Sequence, residues 1–225
     1  GTKIGVIDSL LENSAWRSQD KKHPYLLAPV DLQAVKACGV TFAQSMLERV
    51  IEERAKGDPS AAQGIRNDIQ KVIGLNLESI IPGSSEAEQL KEVLIKKDMW
   101  SQYLEVGIGP DAEVFTKAQP MSVMGIGAQI GILEKSEWNN PEPEITLAVN
   151  ARGKILGATL GNDVNLRDIE GRSALLLGKA KDNNASAAIG PFIRLFDENF
   201  SLDDVRMAEL SLMVRGLDQF TLNGR

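Results

Sequence analysis

Residues 144–150 read Glu-Ile-Thr-Leu-Ala-Val-Asn, with Ile145, Leu147 and Val149 alternating with smaller or polar partners. That is the period of a half-buried strand. Asn150-Ala-Arg-Gly153 is a turn signal, and the run Lys154-Ile-Leu-Gly-Ala-Thr-Leu160 that follows is again strand-forming, so the chain is expected to double back here as an antiparallel pair. This one expectation constrains its surroundings. Glu142, Glu144 and Thr146 must share a face of the first strand, and Asp163, just beyond the second, is carried back level with the two glutamates. Three carboxylates converging from a strand and its return partner make a candidate site for one divalent cation. Mg²⁺, Mn²⁺ and Ca²⁺ suit oxygen-only donors, whereas zinc usually recruits His or Cys. Taken alone, a Glu-x-Glu on a strand is more often a solvated face, so the weight rests on what surrounds it.

What surrounds it is the segment Gly157-Ala-Thr-Leu-Gly-Asn-Asp-Val-Asn-Leu-Arg-Asp168 and, further on, Leu175-Leu-Leu-Gly-Lys-Ala-Lys181. With Glu142 and Glu144 ahead of them, these motifs agree in order, spacing and residue type with the fumarylacetoacetate hydrolase superfamily. The chain resembles that superfamily from about Phe115 to Phe192, and most nearly its 2-keto-3-deoxy-arabonate dehydratase-like branch. Cys38-Gly-Val-Thr-Phe-Ala-Gln44 and Glu113-Val-Phe-Thr-Lys117 are similar to looser entry segments of the same family. The resemblance implies an α+β fold, in which an N-terminal helical portion precedes a β-rich mixed-sheet roll of the superfamily's C-terminal-domain type. It implies further strands beyond Leu222-Asn-Gly-Arg225, so the sequence is expected to be incomplete at that end.

For chemistry, the resemblance implies Mg²⁺ (Mn²⁺ or Ca²⁺ being alternatives) held by Glu142, Glu144 and Asp163, with Lys181 and Arg167 as catalytic residues. Without the resemblance, Lys181 after its apolar run would read as a snorkelling surface lysine. The implied reaction is dehydration of a 2-keto-3-deoxy sugar acid. In it the metal chelates the 1-carboxylate and 2-keto oxygens, the C3 proton is lost, and a β-hydroxyl departs. Lys181 would stabilise the enolate and Arg167 would orient substrate or pair with a carboxylate, while the base is left open, Glu113 and a metal-ordered water being the candidates. Hydrolysis of a carbon–carbon bond in an acylpyruvate uses the same chelation, but the superfamily's hydrolases activate water with a His, and Lys117-Ala-Gln-Pro-Met-Ser-Val-Met-Gly125 contains none. A metal-binding paralogue without turnover is the third reading. The family implies a homodimer or larger homo-oligomer, and a small 2-keto acid as the substrate.

Composition narrows the partners. The 225 residues are 43% hydrophobic and carry 25 Lys and Arg against 31 Asp and Glu, a net charge of −6. Basic residues scattered among a larger number of acidic ones make no groove for a nucleic-acid backbone. No apolar run is long enough to span a membrane and no secretory signal is legible, so a cytoplasmic protein is expected. Cys38 is the sole cysteine, expected to be buried and inert, and His23 is the sole histidine, expected to be exposed.

Two domains are expected, a helical one over residues 1–100 and a β-rich metal-binding one over 101–225. The first forty residues read as irregular. Three amphipathic helices follow, the first opened by a capping box at Thr41 and carrying Phe42, Met46, Leu47, Val50 and Ile51. The second carries Ile65, Ile69, Val72 and Ile73, and the third, with Ser85 and Glu88 at capping-box spacing, carries Leu90, Val93 and Leu94. Strands are expected near 114–117, 127–133, 144–150, 154–160 and 189–195, with a last hairpin from 209–214 and 219–222. Gly125-Ile-Gly127 with Gly131 departs from a dinucleotide fingerprint in spacing and context. Trp138, Asn139 and Asn140 are expected at the rim of the site, Trp138 mainly as packing.

Overall fold

The computed structural model describes residues 1–30, 32–39, 51, 63–67 and 80–224. Its strands are β1 (Val35–Cys38), β2 (Val114–Ala118), β3 (Asn139–Asn140), β4 (Pro143–Val149), β5 (Ile155–Asp163), β6 (Asn165–Leu166), β7 (Ala187–Leu195), β8 (Leu212–Arg215) and β9 (Thr221–Gly224). Described helices span Ile7–Ser14, Ser85–Lys96, Gln102–Ile108, Arg167–Glu170, Leu177–Lys181 and Leu202–Arg206. The architecture is mixed α and β with small antiparallel sheets.

The expected hairpin forms. β4 pairs antiparallel with β5, and β5 with β7, giving a three-stranded sheet in the order β4-β5-β7. Its turn is closed by Gly153 N–H donating to Asn150 O at 2.9 Å, and Asn150 Oδ1 accepts from the Arg152 and Lys154 amides. Gly153 has φ +75, the left-handed region that glycine enters without a Cβ penalty. A short ribbon of β3 and β6 places Asn140 opposite Asn165, and the last hairpin is β8 with β9.

The chain divides into two compact units, Gly1–Lys36 with Thr116–Arg225, and Ala37–Phe115. This differs from the division expected at residue 100, and the reason lies in packing. Helix Gln102–Ile108, capped by Ser101 and not foreseen from the sequence, contributes Leu104 and Ile108 to the same core as Ile51, Ile80, Leu90, Leu94 and Met99. The second unit therefore ends in β2 and not before that helix. In helix Ser85–Lys96 the cap is Ser84, whose hydroxyl accepts from Ala87 N–H, and not the Ser85 and Glu88 pair. The expected first and second helical stripes lie outside the described residues, apart from Ile51 and Ile65.

Other expectations are corrected. The first forty residues hold helix Ile7–Ser14 and strand β1. Residues 127–133 form no strand: Gly127 takes φ +73, its carbonyl accepts from Trp16 N–H at 2.9 Å, and Gly131 N–H donates to Ala185 O. Cys38 is exposed, because β1 alternates and Ala37 takes the inward position. Trp138 is also exposed and so is not packing. Among the described residues no helix is long and apolar enough to cross a membrane.

Candidate metal and lysine site

The pairing of the hairpin assembles the carboxylates. Glu144 lies opposite Gly161 and Pro143 opposite Asn162. One residue earlier the ladder is extended by side chain and backbone together, as Glu142 N–H donates to Asn162 Oδ1 at 3.0 Å and Asp163 N–H donates to Glu142 O at 2.9 Å. One oxygen each from Glu142, Glu144 and Asp163 then lies within 4.8 Å of the others. Gly161 keeps this face open, since a Cβ there would run into Thr146 Oγ1.

Two lysines face the carboxylates. Lys181 closes helix Leu177–Lys181 with its side chain buried, while Lys179 on the same helix is exposed. The Lys181 ammonium pairs with Glu142 Oε2 and lies 3.1 Å from Asp163 Oδ2. Burial opposes its charge, but Asp163 and Glu142 outweigh that and raise its pKa. Lys117 on β2 is a residue the sequence does not mark for the site. Only 2% exposed, it lies 3.1 Å from Asp163 Oδ1 and donates to Val164 O at 2.7 Å, to Lys181 O, and to Ser186 Oγ at 3.3 Å. Desolvation lowers its pKa against the pull of Asp163. Nothing in Phe115-Thr-Lys117 distinguishes it from a solvated strand lysine; only the tertiary packing does.

Asn165 on β6 completes the cluster. It is wholly buried, and its Nδ2 donates to Glu142 Oε1 at 3.0 Å and to Glu170 Oε2 at 2.6 Å. Not every expected residue joins. Among the described residues Arg167, at the start of helix Arg167–Glu170, makes no ion pair or side-chain hydrogen bond with the three carboxylates. Asp168 accepts from Ser136 Oγ at 2.8 Å and Glu137 N–H at 3.1 Å, which holds the loop before β3 and lowers its pKa. Glu113 belongs to the other unit, where its carbonyl accepts from Gly39 N–H. His23 is exposed, with Nε2 3.7 Å from the Asp20 carboxylate.

The donor set fits a hard divalent cation. Three carboxylates carry three negative charges against two positive on Lys117 and Lys181, leaving one uncompensated. The imbalance falls on Glu144, whose carboxyl is pushed up to about 7 by burial and by the charges of Asp163 and Glu142. Asp163 Oδ1 is buried and accepts no hydrogen bond, its partner being the Lys117 charge. All the candidate ligands are oxygens, as Mg²⁺ prefers.

Fold and cluster together bring three carboxylates that could hold a divalent cation against two buried lysines, one from strand β2 and one from helix Leu177–Lys181. No family model matches the chain. Over 128 residues it is 35% identical to the probable 2-keto-3-deoxyxylonate dehydratase of Haloferax volcanii, which covers 57% of this chain and 42% of that protein. Over 94 residues it is 40% identical to the 2-dehydro-3-deoxy-D-arabinonate dehydratase of Saccharolobus solfataricus, covering 40% of this chain and 32% of that one. The matched chain thus spans less than half the length of either relative. Among solved structures, apo 2-keto-3-deoxy-D-arabinonate dehydratase aligns with 86% of this chain and 50% of its own, at a TM-score of 0.56 and 22% identity. The 2-keto-3-deoxy-D-arabinonate dehydratase complexed with magnesium and 2,5-dioxopentanoate aligns over the same shares at 0.50 and 23%. These two bear on the fold. Both sequence relatives bear the names of sugar-acid dehydratases, and over the matched residues the chain is similar to them, in keeping with the dehydratase-like branch that its motifs resemble.

Proposed function

We propose that this chain carries the active site of a Mg²⁺-dependent lyase that dehydrates a 2-keto-3-deoxy sugar acid. The observation that carries the reading is the convergence of Glu142, Glu144 and Asp163 beside a buried Lys181 joined to two of them. Similarity to two named dehydratases supports it. Glu142, Glu144 and Asp163 would hold the ion. Bound Mg²⁺ would supply Lewis acidity at the 1-carboxylate and 2-keto oxygens of the substrate and so acidify its C3 proton. Lys181 Nζ puts positive charge where the enolate oxygen develops. Lys117 holds the Asp163 carboxylate in place, and Arg167 orients the acid substrate. The wider reading is of a cytoplasmic homo-oligomer with a β-rich roll of the superfamily type around this site.

The test is product identification. The protein, loaded with Mg²⁺, is given a 2-keto-3-deoxy-pentonate and, separately, an acylpyruvate, and the products are read by mass spectrometry. Loss of water from the first without pyruvate release from the second is expected. Pyruvate release without dehydration would overturn the lyase in favour of carbon–carbon hydrolysis, and no turnover of either with Mg²⁺ bound would favour a non-catalytic metal-binding protein.

A further inference from the structure

The Glu142 carboxylate is held at both oxygens, by Lys181 on Oε2 and by Asn165 Nδ2 on Oε1. The Asn165 amide spends its second N–H on Glu170 Oε2, so one neutral donor group bridges two carboxylates that would otherwise repel. Its own oxygen, Oδ1, is buried and accepts no hydrogen bond. A side chain wholly buried with an unsatisfied acceptor is poorly suited to filling space, because leaving a buried oxygen unpaired costs stability that an apolar residue would not forfeit. What the asparagine offers at this position is its pair of donors. The backbone supports that use: β6 pairs with β3, Asn165 sits opposite Asn140, and the residue is fixed two positions after Asp163. The amide is thereby held in the β3–β6 ribbon, whose strand β6 begins just after β5, the strand that ends in Asp163.

We infer that Asn165 is a positioning residue that fixes the plane of the Glu142 carboxylate for the cation, an inference that rests on the reading of Glu142 as a ligand. With Lys181 and Asn165 each occupying one lone pair, the carboxylate keeps a lone pair on each oxygen and cannot rotate away from Glu144 and Asp163. Glu170 orients the amide in turn. Partners of this kind, which hold a ligand without touching the ion, typically change metal affinity by ten- to a hundredfold.

A double-mutant cycle tests it, with Mg²⁺ affinity measured by calorimetry and folding checked by circular dichroism. Asn165→Ala and the nearly isosteric Asn165→Leu, which preserves volume where alanine leaves a hole, are each expected to weaken Mg²⁺ by about tenfold or more. In a Glu142→Gln background the same changes should add less than about twofold, because Asn165 acts through Glu142. A loss of equal size in both backgrounds would show a merely structural role and overturn the proposal. Undiminished affinity in both single variants, with Glu142→Gln weakened, would overturn it while leaving the metal site standing. Unchanged affinity in Glu142→Gln itself would remove the ligand reading and the proposal with it.

Discussion

Replacing Lys117 by methionine should destabilise the protein severely, although the residue lies on a strand whose sequence gives no hint of it. Methionine matches the length of the side chain and removes only the ammonium. The charge lost lies 3.1 Å from Asp163 Oδ1 with both side chains almost fully buried. Removing one partner of such a pair costs about 3–5 kcal/mol, and the low end applies because Lys181 still faces Asp163 Oδ2. The acceptors add to this. Lys181 O retains the Ser186 hydroxyl at 3.1 Å, but Val164 O loses its 2.7 Å donor, worth about 1–3 kcal/mol. The sum is about 4–6 kcal/mol, a large share of the ~5–15 kcal/mol that holds a typical domain together. Urea unfolding followed by circular dichroism would register it as a lowered midpoint at unchanged slope. A loss below about 1 kcal/mol, the size expected of an exposed ion pair, would refute the argument.

Two further outcomes follow from the same cluster. Because Glu144 titrates at about 7, its proton competes with a cation below that pH; Mg²⁺ affinity should therefore rise about tenfold between one unit below and one unit above that value, and a flat calorimetric profile would contradict it. Lys181→Met should cut turnover of the 2-keto-3-deoxy acid at saturating Mg²⁺ by about a hundredfold or more while exposed Lys179→Met leaves it unchanged, and equal effects in steady-state assays would return Lys181 to a surface role.

The hairpin and its three carboxylates were legible because they rest on local rules: alternation fixes which side chains share a face, and a turn of known chemistry fixes the register. β4, β5 and their Asn150 turn follow from these alone. Lys181 was separable from Lys179 only through motif resemblance, since both follow the same apolar run and their burial is decided by which side of helix Leu177–Lys181 meets the sheet. Lys117 and Asn165 were not legible as site residues. Each owes its role to groups far along the chain, Val164 and Ser186 for the one and Glu142 for the other. Residues 127–133 misled because a glycine at positive φ and its tie to Trp16 override an apolar, strand-like run.

Mg²⁺ binding by the three carboxylates is tested most directly by calorimetry on the unaltered protein and on Glu142→Gln, Glu144→Gln and Asp163→Asn. Saturable binding of one ion, weakened at least about tenfold by each substitution with the fold retained, is the predicted result. Mg²⁺ affinity that none of the three changes alters would contradict it, whatever activity the protein shows.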